Sequence, residues 1–293
     1  MRSLGRALVA ALKDRRARLL LAVALMALTG ADSASWEHCT SQAREIFTGV
    51  TYGCERLRSA EGDGVFHWVR VDLAAPGIEL YVTPLDPSAV AHGWQYRLRR
   101  IEDVVTGERL AVAINGTMFT SEYSWLPRFS GEFANGVETV VSDHVVSHLW
   151  EHTYLLWFDD DLRPHLRPSK PPTAEELRQA KWGIGGQGVG LHEGRVWPGS
   201  GRQPDSRTAI GIDAERKHLF LAVAAWASPH LVLERLSELG ARDAMLLDGG
   251  GSSAIAMGEG ARGVATGALF GGSRPVATFF GVRARRSSPA QAR

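Results

Sequence analysis

From Val65 to about Arg286 the chain runs in short stretches where apolar and polar residues alternate, or where β-branched and aromatic residues dominate. "FHWVRVDL", "IELYVTPL", "RLAVAINGTMF", "TYLLWFDD", "RTAIGID" and "HLFLAVAAW" are each bounded by Gly, Pro or Asp and predict strands. "GIDAERKHLF" predicts the hairpin turn between two of them. "SKPPTAEELRQA" predicts an exposed, Pro-punctuated lead into a short helix. A second helix has both ends written out: Ser228 as cap, Pro229 in the first turn, Val232, Leu236 and Leu239 on one face, and Gly240 as the left-handed stop. "ARDAMLLD" then predicts a buried strand. Many strands and few helices predict one α+β domain with mixed, mostly antiparallel sheet.

The pattern breaks at "LLDGGGSSAI", Leu246 to Ile255. Three successive glycines forfeit packing and cost roughly 0.5–1 kcal/mol each relative to alanine. A strand that ends on Asp248 and runs into such a loop puts an acid on a rigid support, beside backbone that a ligand can approach closely.

Composition narrows the function classes. The 293 residues are 44% hydrophobic and 22% charged, ordinary for a globular protein, and the formal charge of +1 gives no electrostatic footprint for nucleic acid. Residues 1–34 have the order of a secretory signal: Arg15, Arg16 and Arg18, an apolar run from Leu19 to Ala31, then small residues. That run is shorter than the ~20 residues a spanning helix needs, with an uncleaved N-terminal membrane anchor as the alternative. The expected location is therefore outside the cytosol, secreted or periplasmic. There the two cysteines, Cys39 and Cys54, most simply pair, closing a loop worth roughly 3 kcal/mol. The expected layout is a signal or anchor at 1–34, a disulfide-containing segment at 35–64, the main domain at 65–286 and a frayed tail at 287–293.

Taken in order, "AINGTMF", "GGQGVGL", "SRTAIGID", "LGARDAMLLDGGGSSAI" and "RPVATFFGV" resemble the phosphodiester glycosidase family over roughly residues 65–284. The animal member of that family removes N-acetylglucosamine from a phosphodiester. The resemblance implies a surface cavity lined by Asn115, Gly116, Arg207, Thr208, Asp248, Gly249, Gly250, Gly251, Ser252, Ser253 and Arg274. It also implies a carbohydrate phosphodiester as substrate, with no cofactor.

Chemistry assigns roles within that set. Glycoside cleavage passes through an oxocarbenium-like state that a carboxylate stabilises or attacks, which selects Asp248. Arg207 and Arg274 offer forked donors to the departing phosphate, the glycine loop offers backbone N–H groups, and Ser252 and Ser253 offer hydroxyls. Asn115 is expected to orient sugar hydroxyls or an N-acetyl group. A second carboxylate is not marked; Glu132 and Asp213 are nearest in context, with Asp213 equally the first residue of its turn.

Other patterns point elsewhere. "GIGGQG" (Gly183–Gly188) fits a dinucleotide fingerprint but follows a helical stretch instead of a strand. His144, His148 and His152 would align on a helix as zinc ligands, an alignment that disappears if the segment is strand. Thr117 and Met118 stand where relatives commonly carry small residues, and Trp125, Trp150, Trp182 and Trp197 crowd the presumed rim. A noncatalytic sugar-phosphate or exopolysaccharide binding protein and a zinc-dependent hydrolase are the alternative functions.

Overall fold

The alternating runs fold into four sheets, and every strand pairing among the described residues is antiparallel. The computed structural model describes Cys39 and residues 42–123, 128–150, 154–167 and 171–287. The expected signal at 1–34, the tail beyond 287, Trp125 and His152 lie outside the described residues. No helix among the described residues is long and apolar enough to cross a membrane.

The largest sheet has eight strands in the order Arg44–Phe47, Val50–Arg56, Val65–Asp72, His218–Ala227, Asp205–Ile212, Asp243–Leu246, Gly188–His192 and Arg195–Val196. A five-stranded sheet runs Gly267–Phe270, Ile255–Met257, Val112–Asn115, Phe279–Arg283 and Glu79–Val82. A second runs Val145–Val146, Val140–Ser142, Trp182–Gly186, Tyr154–Phe158 and Pro164–Leu166. Tyr96–Arg97, Phe133–Gly136 and Phe119–Ser121 form the fourth.

Alternation explains how these layers stack. Val69, Val71, Ile210, Leu221 and Met245 of the eight-stranded sheet share one buried cluster with Val112, Ile114, Ile255 and Phe280 of one five-stranded sheet and Leu156 and Ile184 of the other. The intervening residues Phe66, Ala222, Ala224 and Ala244 point the opposite way, onto Leu231, Val232 and Leu236 of the helix Pro229–Glu238. That helix has the predicted ends: Ser228 Oγ accepts from Leu231 N at 3.0 Å, and Gly240 has φ +104°. The helix Ile101–Gly107 covers the far side of its sheet, and Ala174–Gln179 that of the other, behind a Thr173/Glu176 capping box.

The chain from Cys39 onward groups as one compact unit. The stretch expected to precede the domain supplies Arg44–Phe47 and Val50–Arg56 to its largest sheet, because its own alternation matches the edge left by Val65–Asp72. Cys39 and Cys54 form the expected disulfide, with Cα atoms 5.4 Å apart.

Candidate active site

Two sheets meet end to end at Asn115. Its side chain donates from Nδ2 to the Asp248 carbonyl at 2.7 Å and accepts at Oδ1 from Thr208 Oγ1 at 2.6 Å and from Ala254 N at 3.0 Å. Asn115 and Thr208 are each 1% exposed. Asn115 thus faces inward and brackets three strand ends, instead of reaching toward a sugar as its motif suggested; Thr208 is its partner in that bracket. Gly116 completes the junction, donating to Thr278 O at 2.8 Å and accepting from Asp248 N at 3.0 Å. A Cβ at Gly116 would lie 2.5 Å from Thr278 Oγ1, so only glycine lets the segments approach this closely.

The strand Asp243–Leu246 delivers Asp248 onto that junction, and the glycine turn wraps the acid itself. The Gly249 N–H and the Ser252 hydroxyl both bond the Asp248 carboxyl, and the residues Gly250–Ser252 form a single 3-10 turn with Gly250 at φ +59°. Burial pushes the Asp248 carboxyl up, while Ser252, Arg274, Gly249 and Arg128 pull it back down. The turn therefore spends at least one backbone donor on its own carboxylate. Ser253 is buried, with its hydroxyl lacking a hydrogen-bond partner.

Cations surround the acid. A Cβ on Gly251 would lie 3.0 Å from Arg274 Nη1, so that glycine makes room for the Arg274 guanidinium, and Arg207 Nη1 lies 3.5 Å from where a Cβ on Gly249 would sit. Burial, then the neighbouring Arg128 charge, lowers the Arg274 pKa against the opposing pull of Asp248. Four arginine Nε atoms among the described residues are buried without a hydrogen-bond partner; three of them belong to Arg128, Arg207 and Arg274. Buried donors are nearly always satisfied, so three such atoms, two on arginines that act on Asp248 and one on Arg207 beside Gly249, mark a place suited to an anion.

The second carboxylate is Glu138, which sequence reasoning missed. It sits between the strands Phe133–Gly136 and Val140–Ser142, is 5% exposed, and its Oε2 has no hydrogen-bond partner. Burial raises its pKa to about 7; donors at Thr117, Met118 and its own backbone oppose the rise, and the Asp248 charge adds to it. The only sequence signal was an acid inside the β-rich run "GVETVVS". Glu132, one of the two expected candidates, instead accepts from Tyr123 N at 2.9 Å and Phe129 N at 3.4 Å, clamping a loop. Asp213 accepts from Lys217 N and His218 N in its hairpin turn, the second of the two roles its position suggested.

The remaining patterns fall away from this site. His144 and His148 flank the strand Val145–Val146, so no helix aligns them: His144 Nε2 lies 3.3 Å from Asp160, and His148 contacts Gln95 and the Val137 carbonyl. No group of three or more potential metal ligands occurs among the described residues. "GIGGQG" is the crossing of the chain from one sheet to another, where a Cβ on Gly186 would meet the Leu246 carbonyl at 2.4 Å. A shallow cleft lined by Arg56, Arg58, Ser59 and Asp63 is separated from the Asp248 strand by three intervening strands. The Trp150 backbone N–H donates to Thr139 Oγ1, beside Glu138; Trp197 lies on the far edge of the eight-stranded sheet and Trp182 packs against the core. An aromatic not anticipated, Trp226, is 57% exposed on a β-bulge opposite Ser206, with φ +49°.

Three solved structures share this architecture at low identity. The catalytic domain of zebrafish N-acetylglucosamine-1-phosphodiester alpha-N-acetylglucosaminidase, auto-inhibited by its pro-peptide, aligns at 15% identity and TM-score 0.57, over 85% of this chain and 87% of that one. A hypothetical protein from Synechocystis aligns at 15% and 0.54, over 81% of this chain and 62% of that one. A putative exported protein from Burkholderia pseudomallei aligns at 12% and 0.53, over 76% and 74%. No curated protein matches the sequence significantly. The family model for phosphodiester glycosidases matches residues 108–283, well over half of the chain. That single stretch carries the Asn115 bracket, Glu138, the glycine turn around Asp248 and Arg128, Arg207 and Arg274, and the chain belongs to the phosphodiester glycosidase family.

Proposed function

We propose that the protein is an exported hydrolase that cleaves the bond between the anomeric carbon of a sugar and a phosphodiester oxygen, N-acetylglucosamine being one candidate sugar. The observation that carries this reading is a buried carboxylate, Glu138, acted on by a half-buried one, Asp248, near three guanidinium groups whose Nε atoms have no partner. Asp248, where Ser252, Gly249 and two nearby arginines oppose the upward push of burial, supplies the carboxylate that stabilises positive charge at the anomeric carbon. Glu138, titrating near neutrality, takes a proton from the attacking water. The water oxygen bonds to the carbon, the carbon–oxygen bond to phosphate breaks, and its electron pair leaves with the phosphate. The leaving group changes from a monoanion to a phosphomonoester that gains a second charge, which Arg207 and Arg274 neutralise. The Cys39–Cys54 disulfide and the N-terminal sequence support export.

Turnover of a glycosyl phosphodiester and of a neutral aryl glycoside tests this. Asp248→Asn should lower turnover of both about 100-fold or more with the fold intact. Arg207→Ala and Arg274→Ala should each reduce kcat/KM about ten- to a hundredfold on the charged substrate and far less on the neutral one. Equal losses on the two substrates would remove the arginines from phosphate recognition, and loss of activity with a chelator would transfer the chemistry to a metal.

A further inference from the structure

Arg128 belongs to none of the family-like motifs, yet it converges on the same place. Its guanidinium lies over the Phe119 ring, 5.1 Å from the centroid, and its Nε is buried without a partner. Phe119 pairs in register with Gly136, two residues before Glu138. The Arg128 charge acts on Glu132, whose carboxylate accepts from Phe129 N, next to Arg128 in the chain, at 3.4 Å. No ion pair within 4.0 Å engages Arg128, Arg207 or Arg274 among the described residues.

Charge counting gives the consequence. Arg128 and Arg274 act on Asp248 and Arg207 lies beside Gly249, so three guanidinium groups meet this one carboxylate and its glycine turn, with Glu132 offsetting part of the Arg128 charge. A bound phosphodiester brings one negative charge, whereas a phosphomonoester brings close to two above its second pKa of about 6. We infer that Arg128 is a third phosphate-binding residue, positioned by Glu132, and that with Arg207 and Arg274 it makes the site hold a phosphomonoester dianion more tightly than the phosphodiester monoanion. This rests on the proposed phosphodiester reaction and adds to it strong inhibition by its own phosphate product.

Calorimetric binding to the full-length Asp248→Asn protein at pH 8 separates the two ideas, because it needs no turnover. The probes are phenyl phosphate and methyl phenyl phosphate. Phenyl phosphate should bind about tenfold or more tightly than the diester, and Arg128→Ala in that background should weaken it about ten- to a hundredfold while changing diester binding less. Arg128→Lys, which keeps the charge but not the fork, should recover part of the loss. Glu132→Ala should reproduce the Arg128→Ala loss and add little to it in the double variant, as expected of a residue acting through Arg128. Equal binding of the two probes, or an unaltered ratio in folded Arg128→Ala protein, overturns the inference. Selective monoester binding by a protein that cleaves no glycosyl phosphodiester would uphold the anion site and defeat the proposed reaction.

Discussion

Replacing Glu138 with glutamine should inactivate the protein and stabilise it at the same time. Burial raises the Glu138 carboxyl from 4.5 to about 7. A carboxyl whose folded pKa lies above its unfolded one contributes stability at low pH that is lost as pH rises, because the unfolded chain ionises freely while the folded one resists. With 1.36 kcal/mol per unit, the ionisation penalty comes to about 3 kcal/mol at pH 8 but under about 1 kcal/mol at pH 5. Glutamine keeps the shape and removes the charge. Urea unfolding should therefore show Glu138→Gln more stable than wild type by about 2–3 kcal/mol at pH 8 and nearly equal at pH 5. Turnover should move the opposite way, falling roughly 100- to 10,000-fold through loss of the general base. Wild-type kcat/KM should rise with pH through about 7, over the range where the fold weakens. A stability difference independent of pH would show that Glu138 titrates normally, and retained turnover would remove it from the reaction.

Three further outcomes follow from the packing. His67 is buried with Tyr52 Oη 2.9 Å from Nδ1 and its pKa pushed from 6.5 down to about 4, so stability should be full above pH 6.5 and fall by about 3 kcal/mol as pH drops to 4; an NMR titration of His67 near 6.5 would refute it. Gly116→Ala should cost about 1–3 kcal/mol in thermal unfolding, because the new methyl meets Thr278 and Ile184 at 2.5 and 3.0 Å; an unchanged midpoint would mean the junction yields freely. Intact mass after non-reducing alkylation should show no free thiol at Cys39 or Cys54, and labelling of both would exclude the bond.

What the sequence disclosed was local. The strands Val65–Asp72, Asp205–Ile212 and His218–Ala227 are long enough for alternation to stand out, and the Ser228 and Gly240 helix ends are written within one turn of the residues they serve. Phe133–Gly136 and Val140–Ser142 are too short to show a period, so nothing in the sequence singles out the carboxylate between them. Asn115 was visible as a special residue but its partners were not: Thr208 and Ala254 lie 93 and 139 positions away, and only their arrival turns the amide inward. Arg128 is hidden for the same reason, since an arginine in a loop becomes part of a site only through what the fold sets opposite it.

The strand Phe279–Arg283 is inserted between Val112–Asn115 and Glu79–Val82, hydrogen-bonded on both sides, rather than added at an edge. A nascent chain therefore cannot finish this sheet from its N-terminal end. Until residue 283 is available, Val112–Asn115 and Glu79–Val82 leave a slot between them, and the Thr278 contacts that hold Gly116 and Thr117 do not exist. Such long-range closure slows folding and lets the whole polypeptide be handed on in an open form before it locks. The late strand thus makes the Gly116 junction, and with it the setting of Asp248, one of the last parts of the chain to be completed.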